Sequence, residues 1–332
     1  MPRVSVVVPC YNEERTIAHL LTALCEQTYP RGEVEVVIAD GLSTDRTREV
    51  IAAFASQHPD MQIHVVDNPA RNIPTALNIA IANATGSIIL RLDAHAIPAG
   101  DYIEQCVGAL DAGLGENVGG VWRIHPYSDS LIARSIALAA AHPFGVGDAR
   151  YRYSSKAGLV DTVPFGCFLR ETVEAIGGYD ESLLTNEDYE LNARIRLNGG
   201  RIYFTPHISA IYFSRATLPE LARQYWRYGY WKFRMLKRYP RTLRARQALP
   251  PVFVGGMISL LLLGLFWRPA ALVFLSLFAV YFLTLLAVSI VPAARAGNIM
   301  MAFGIPLAMM TMHFCWGAGF LYSALTNIFR DR

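Results

Sequence analysis

The sequence predicts an α/β fold, an open Rossmann-like and mostly parallel sheet, followed by transmembrane helices. Three observations predict it. Over roughly the first hundred residues, short β-branched runs alternate with amphipathic helical segments, the signature of βαβ units. From Pro250 to Phe329 nearly every residue is apolar, and only Arg268 and Arg295 carry charge. The 332-residue chain is 53% hydrophobic and 17% charged, where soluble domains carry about a quarter charged residues. The apolar excess therefore sits at one end.

Taken in order, Val4–Val8 reads as a buried strand. Asn12 can cap the helix that carries Ile17, Leu20, Leu21 and Leu24 at helical spacing. A second strand covers 34–39, and Thr44 or Asp45 can cap a helix bearing Val50, Ile51 and Phe54. Then come a strand over 62–66, a helix over 73–84 and a strand over 87–92. Beyond Asp101 the expectation is a helix to about Asp111, a strand over 118–124, an apolar helix over 131–141 and a loop over 144–158. A helix after Asp188 contains Leu191, Ile195 and Leu197 and is stopped by Gly199-Gly200. Leu218 to Tyr239 reads as a basic, aromatic helix suited to a headgroup layer.

Three apolar stretches close the chain, at 252–267, 270–291 and 299–329. The second and third can each cross a hydrocarbon core of ~30 Å, and three spans are expected, the alternative being two spans and a third segment broken at Pro306. The division is a soluble domain over 1–217, amphipathic interfacial helices over 218–249 and a transmembrane domain over 250–332. Lys232, Arg234, Lys237, Arg238, Arg241, Arg244 and Arg246 precede the apolar stretches, which puts that flank and the domain before it in the cytoplasm.

The formal net charge of +3 is too small to argue for nucleic acid, whose partners usually show a concentrated basic face, so nucleic acid is not an expected partner. The five cysteines, at 10, 25, 106, 167 and 315, lack the spacing of a zinc site or a disulfide framework.

Ligands of an open parallel sheet sit beyond the carboxyl ends of its strands. A dinucleotide enzyme needs a glycine-rich turn after the first strand; Pro9-Cys10-Tyr11-Asn12 stands there, which excludes that class. Asp40 suits a nucleotide, because a carboxylate accepts from a uracil N–H or a ribose hydroxyl, and Tyr11 can flank the base. Asp93 and His95, two apart at a strand end, would leave one face and reach one cation, Mn2+ or Mg2+.

Four motifs occur in order: Val4-Ser5-Val6-Val7-Val8-Pro9-Cys10-Tyr11-Asn12-Glu13-Glu14, Asp40-Gly41-Leu42-Ser43-Thr44-Asp45, Asp93-Ala94-His95 and Glu187-Asp188. Together they resemble the motifs of inverting family 2 glycosyltransferases with a GT-A fold, over about residues 3–240. Asp-Ala-His, with Pro143-Phe144-Gly145-Val146-Gly147 and Val163-Pro164-Phe165-Gly166-Cys167, is similar to the succinoglycan-biosynthesis glucosyltransferases of the ExoA type.

The resemblance implies a UDP-sugar donor at Pro9, Tyr11, Glu13, Asp40 and Asp93, with Asp93 and His95 at the metal, although most members carry a second Asp where His95 stands. It also implies Asp188 as catalytic base with Glu187 beside it, and a polyprenyl-diphosphate-linked saccharide as acceptor in exopolysaccharide synthesis at the cytoplasmic membrane. Gln224-Tyr225-Trp226-Arg227-Tyr228 is loosely similar to the Gln-x-x-Arg-Trp element near diphosphate and acceptor in processive relatives, but Trp226 precedes Arg227. Arg215 or Arg227 could neutralise diphosphate by a bidentate contact.

Two rival functions fit the residues less well. A non-catalytic assembly or export subunit needs no base, yet the chain keeps carboxylates at Asp40, Asp93 and Asp188. A nucleotidyltransferase would want a glycine-rich basic loop after the first strand, and the chain has none there.

Overall fold

The computed structural model describes residues 3–328. In chain order its elements are β1 (Val4–Cys10), α1 (Ile17–Cys25), β2 (Val34–Asp40), α2 (Thr47–Gln57), β3 (Gln62–Asp67), α3 (Ile73–Asn83), β4 (Ile88–Arg91), β5 (Ile97–Pro98), α4 (Tyr102–Asp111), β6 (Asn117–His125), α5 (Leu131–Ala140), α6 (Pro143–Val146), β7 (Gly158–Leu159), β8 (Cys167–Leu169), α7 (Arg170–Ala175), α8 (Glu187–Leu197), β9 (Ile202–Phe213), α9 (Leu218–Arg238), α10 (Ala245–Gly264), α11 (Arg268–Arg295) and α12 (Met301–Ile328). They form two compact units. One runs to Arg123 and resumes over Tyr153–Tyr212; the other holds Ile124–Arg152 and the chain from Phe213 onward.

The first unit is built on a mixed sheet of order β3-β2-β1-β4-β8-β6-β9-β5, with β7 paired to β9. β1, β2, β3 and β4 are parallel, and β8 turns the sheet antiparallel on β4 and β6. Every residue of β1 and β2 is buried, as expected of strands covered on both faces. Val4, Val6, Val8, Val36 and Ile38 share one core with Ile17, Leu20, Leu21 and Leu24 of α1. Pro9 has no N–H to give, and it lies past Val7, the last β1 residue paired with β4. The antiparallel half is harder to read from the sequence because β5, β7 and β8 have only two or three residues each.

Two capping expectations are corrected. Helix α1 starts at Ile17 with no side-chain cap, and Asn12 instead adopts positive φ. α2 starts at Thr47 after Arg46, while Asp45 accepts from the Thr47 N–H at 3.0 Å from within the loop.

Glu35 of β2 is buried at 1% exposure and is satisfied by Ser5 Oγ at 2.5 Å, Thr85 N at 2.5 Å, Thr85 Oγ1 at 2.9 Å and Gly86 N at 3.1 Å. Burial alone would raise this carboxyl, but these bonds outweigh it and hold it below the usual carboxylate range. Glu35→Ala leaves those donors stranded in the core and is expected to cost about 3 kcal/mol of unfolding free energy. A depressed carboxylate contributes stability above its unfolded-chain pKa and loses it as pH falls through its folded pKa. The difference between Glu35→Ala and the parent in urea unfolding should therefore shrink in acid.

In the second unit α12 is central. Its Met301, Ile305, Ala308, Met309 and Met312 pack with Ile136 and Ala139 of α5, Leu221 and Tyr225 of α9, and Leu285 and Ala293 of α11. α9 and α12 meet backbone to backbone. A Cβ on Gly229 would lie 2.0 Å from the Trp316 carbonyl oxygen, and one on Gly319 would lie 2.3 Å from that of Trp226. α9 thus has a packed face of Leu221, Tyr225, Gly229 and Met235, while Trp226 and Arg227 stay exposed.

Helices α10, α11 and α12 are each long and apolar enough to cross a membrane. α10 begins at Ala245, ahead of the apolar run, and continues through Pro250 and Pro251. Pro251 cannot donate to the Gln247 carbonyl, and Trp316 Nε1 does so at 3.3 Å. α12 runs unbroken through Pro306. α11 fully buries only Ala270, Leu285, Ser289 and Ala293 and leaves most of its apolar surface exposed.

Candidate active site

The loops after β1 and β2 are laced together by the polar residues of the first two motifs. Asn12 N donates to Ser43 Oγ at 2.9 Å, and Asn12 Oδ1 accepts from Thr44 N at 2.8 Å. Glu13 N donates to Thr47 Oγ1 at 2.7 Å, Glu14 N to Asp45 Oδ2 at 3.2 Å, and Arg46 N to Glu14 Oε2 at 3.1 Å. Asp40 has no exposed surface; it accepts from Ser43 N at 3.0 Å and Arg48 Nε at 2.5 Å, and Arg48 reaches on to Asp67 at 2.5 Å. Asp40 thus shapes its loop rather than presenting a bare carboxylate.

Five non-glycine residues among those described have positive φ: Asn12, Leu42, Arg71, Phe165 and Asn186. Asn12 and Leu42 follow β1 and β2, Arg71 follows β3, Phe165 precedes β8, and Asn186 precedes α8. Each such residue costs roughly 1–3 kcal/mol, and strain of this kind concentrates at binding and catalytic sites.

Tyr11 is 45% exposed, and the Arg71 guanidinium lies 5.9 Å from its ring centroid. Gly41 allows the approach, since a Cβ there would come within 3.0 Å of the Tyr11 ring. An aromatic face with a cation across it suits a flat heterocycle.

Asp93, Glu187 and Asp188 converge on one side chain that the four motifs do not include, Arg91. It is buried at 3% exposure at the end of β4. Its Nη1 donates to Asp188 Oδ1, and its Nη2 to Asp93 Oδ1 at 3.0 Å and Glu187 Oε1 at 2.9 Å. Burial would lower the guanidinium, but the charges of Asp188, Asp93 and Glu187 hold it well above its ordinary value. Burial pushes the Asp188 carboxyl up, Arg91 pulls it down, and Glu187 and Asp93 push it up again, to about 7. The sequence does carry a signal for Arg91: a charge inside Ile88-Ile89-Leu90-Arg91-Leu92, two residues before Asp93.

The first turn of α8 carries Glu187 and Asp188 after the left-handed Asn186. Buried Asn192 fixes this helix by donating to Thr162 Oγ1 at 2.9 Å and to the Val163 carbonyl at 3.1 Å, while accepting from Asn117 Nδ2 at 2.6 Å. That ties α8 to the Val163–Cys167 motif. Gly166, at positive φ, leaves room for Asn117 and accepts from Arg91 N at 3.0 Å.

The expectation that strand alternation places Asp93 and His95 on one face is corrected. β4 ends at Arg91, and a turn closed by Ala96 N on the Asp93 carbonyl at 2.9 Å follows. In this turn Asp93 accepts from Arg91, and His95 Nδ1 lies 3.0 Å from Glu13 Oε1. No group of three or more His, Cys, Asp or Glu that could hold a metal occurs among the described residues. The donor set fits a hard divalent cation that takes one or two protein ligands here and its remaining oxygens from substrate and water.

Arg215, Gln224, Trp226 and Arg227 belong to the second unit. Arg215 is exposed before α9, Gln224 Nε2 donates to Tyr228 Oη at 2.9 Å, and the Trp226 ring lies 5.6 Å from that of Tyr322.

Fold and site define a glycosyltransferase of the GT-A type. The profile of "Glycosyl transferase family 2" matches residues 5–176. The succinoglycan biosynthesis protein ExoA of Rhizobium meliloti (strain 1021) is 30% identical over 330 residues, 95% of this chain and 93% of that protein. A dolichyl N-acetyl-alpha-D-glucosaminyl phosphate 3-beta-D-2,3-diacetamido-2,3-dideoxy-beta-D-glucuronosyltransferase of Methanococcus voltae is 27% identical over 79% of this chain and 82% of its own length. Among solved structures, the mannosyltransferase PcManGT of Pyrobaculum calidifontis, in complex with GDP-Man and Mn2+, superimposes with a TM-score of 0.64 at 23% identity, covering 100% of this chain and 88% of that one. The chain belongs to glycosyl transferase family 2.

Proposed function

We propose that this chain is an inverting hexosyltransferase that moves a sugar, glucose in the first instance, from a UDP-sugar to a hydroxyl of a polyprenyl-diphosphate-linked saccharide. The observation that carries the reading is geometric: the Asp188 carboxyl, 30% exposed at the start of α8, is held by the same Arg91 guanidinium as Asp93 and Glu187, and burial raises it above the ordinary carboxylate range. A general base works best when its pKa lies near the working pH. The acceptor oxygen attacks the anomeric carbon, the bond from that carbon to the diphosphate oxygen breaks, and Asp188 takes the hydroxyl proton. Glu187, at 9% exposure, orients the acceptor.

On the donor side, Tyr11 and Arg71 hold the base, Asp40 organises the loop beneath it, and Pro9 and Glu13 shape the neighbouring turn. Asp93 would hold Mn2+ or Mg2+, with His95 assigned as a second ligand from the motif alone. The cation would supply Lewis-acid neutralisation of the leaving diphosphate. Arg215, Gln224, Trp226 and Arg227 are assigned to diphosphate and acceptor from their order in the sequence alone. The lipid acceptor and a cytoplasmic active face are supported by the three apolar helices, by the basic residues preceding them, and by the ExoA and dolichyl-linked relatives.

The test is nucleoside diphosphate release by detergent-purified protein with UDP-glucose, UDP-galactose and GDP-mannose, with Mn2+ or Mg2+ and a polyprenyl-diphosphate saccharide. UDP release that requires both metal and acceptor, and is abolished by Asp93→Ala, is expected. Turnover confined to GDP-mannose, or unchanged by Asp93→Ala, would contradict the reading.

A further inference from the structure

We propose that Arg91 is a positioning residue for the transfer step: one guanidinium fixes the orientation of the Asp188 carboxylate and ties it to Asp93 on the donor side. The inference rests on the reading of Asp188 as the base. Its support is geometric. Arg91 sits at the end of a central strand, its backbone paired in register with Val7 and its N–H bonded to Gly166. The root of the side chain is therefore fixed by the sheet. From that root, Nη2 is shared by Asp93 and Glu187 at 3.0 and 2.9 Å, which sets the guanidinium plane, and Nη1 holds Oδ1 of Asp188. Tyr179, buried at 4% exposure, feels the charge of the same guanidinium.

A stability role alone explains this arrangement poorly. Buried ion pairs contribute little net stability relative to apolar side chains of the same shape, and Ile89 and Leu90 beside Arg91 show that the strand accepts such residues. What an apolar side chain cannot do is hold carboxylates from two separate elements, the turn after β4 and the first turn of α8, in one fixed plane. Lysine cannot either, because its ammonium is a point charge without the fork.

The experiment compares Arg91→Lys and Arg91→Ala with the parent in steady-state transfer, reading kcat, the KM of the UDP-sugar and thermal unfolding. Asp188→Asn runs alongside. For Arg91→Lys the expected result is a kcat lowered by about 100-fold, the loss typical of a reacting group displaced by about 1 Å, with donor KM changed less than about threefold. Added guanidinium chloride at millimolar concentration should restore part of the kcat of Arg91→Ala and none of that of Asp188→Asn. A parental kcat in Arg91→Lys together with a slow Asp188→Asn overturns the positioning role and leaves the base standing. A parental kcat in Asp188→Asn removes the base, and this inference with it. Loss of folding in both Arg91 variants assigns the residue to structure and overturns the proposal as well.

Discussion

With asparagine in place of Asp188, kcat falls by about 10³-fold while the donor KM changes little, because a positioned base contributes roughly 10²–10⁴ to proton transfer. Asparagine keeps the shape and still accepts from Arg91, so folding is retained and the loss reports chemistry. The pH profile gives the same result a second signature. The base must be unprotonated to act, and its carboxyl is raised to about 7 by burial and by the charges of Glu187 and Asp93. The kcat/KM of the parent should therefore climb with pH through an apparent pKa near 7 and level off above it, and Asp188→Asn should lack that limb. A limb near 4, the ordinary carboxylate range, would show that Asp188 is not held as described.

Gly229→Val is expected to have the second large effect, on the stability of the second unit. Its Cβ would lie 2.0 Å from the Trp316 carbonyl oxygen, and a further contact waits at Phe320 N, 2.9 Å away, so both obstacles are backbone. Neither can rotate aside. α9 and α12 must separate, and with them the packing of Leu221 and Tyr225 against Met301, Ile305 and Met309. The cost is about 3 kcal/mol or more, a fall in melting temperature of roughly 10 °C for detergent-purified protein. Gly319→Val, facing the Trp226 carbonyl at 2.3 Å, should match it, whereas Gly256→Val, with nothing within 4 Å of its Cβ, should melt like the parent. Equal melting of all three would contradict the close crossing of small residues.

The parallel half of the sheet is legible in the sequence because Val4–Val8 and its neighbours are long apolar runs separated by amphipathic helices. Tyr11, Asp93, Glu187 and Asp188 are legible through the order of their motifs, although the strand geometry expected for Asp93 and His95 gives way to a turn. Other features are hidden for physical reasons. Asn12 and Asp45 resemble helix caps in sequence, and only the neighbouring loop shows that they spend their side chains lacing β1 to β2. Arg91 shows in the sequence only as a charge within an apolar run, because its meaning lies in partners 96 and 97 positions away. α8 is readable from Leu191 and Ile195, yet its placement depends on buried Asn192, which no apolar periodicity reveals. The membership of residues 124–152 in the second unit depends on packing such as Ile136 against α12, which a linear pattern does not encode.

The anomeric configuration of the product tests the central claim most directly. A single turnover of UDP-α-glucose, labelled with ¹³C at the anomeric carbon, on a polyprenyl-diphosphate saccharide should give a β-linked glucose by NMR. Single displacement with Asp188 as base reverses that centre. An α-linked product would require two displacements or a front-side route, and would contradict the assignment of Asp188 as the base of an inverting transfer.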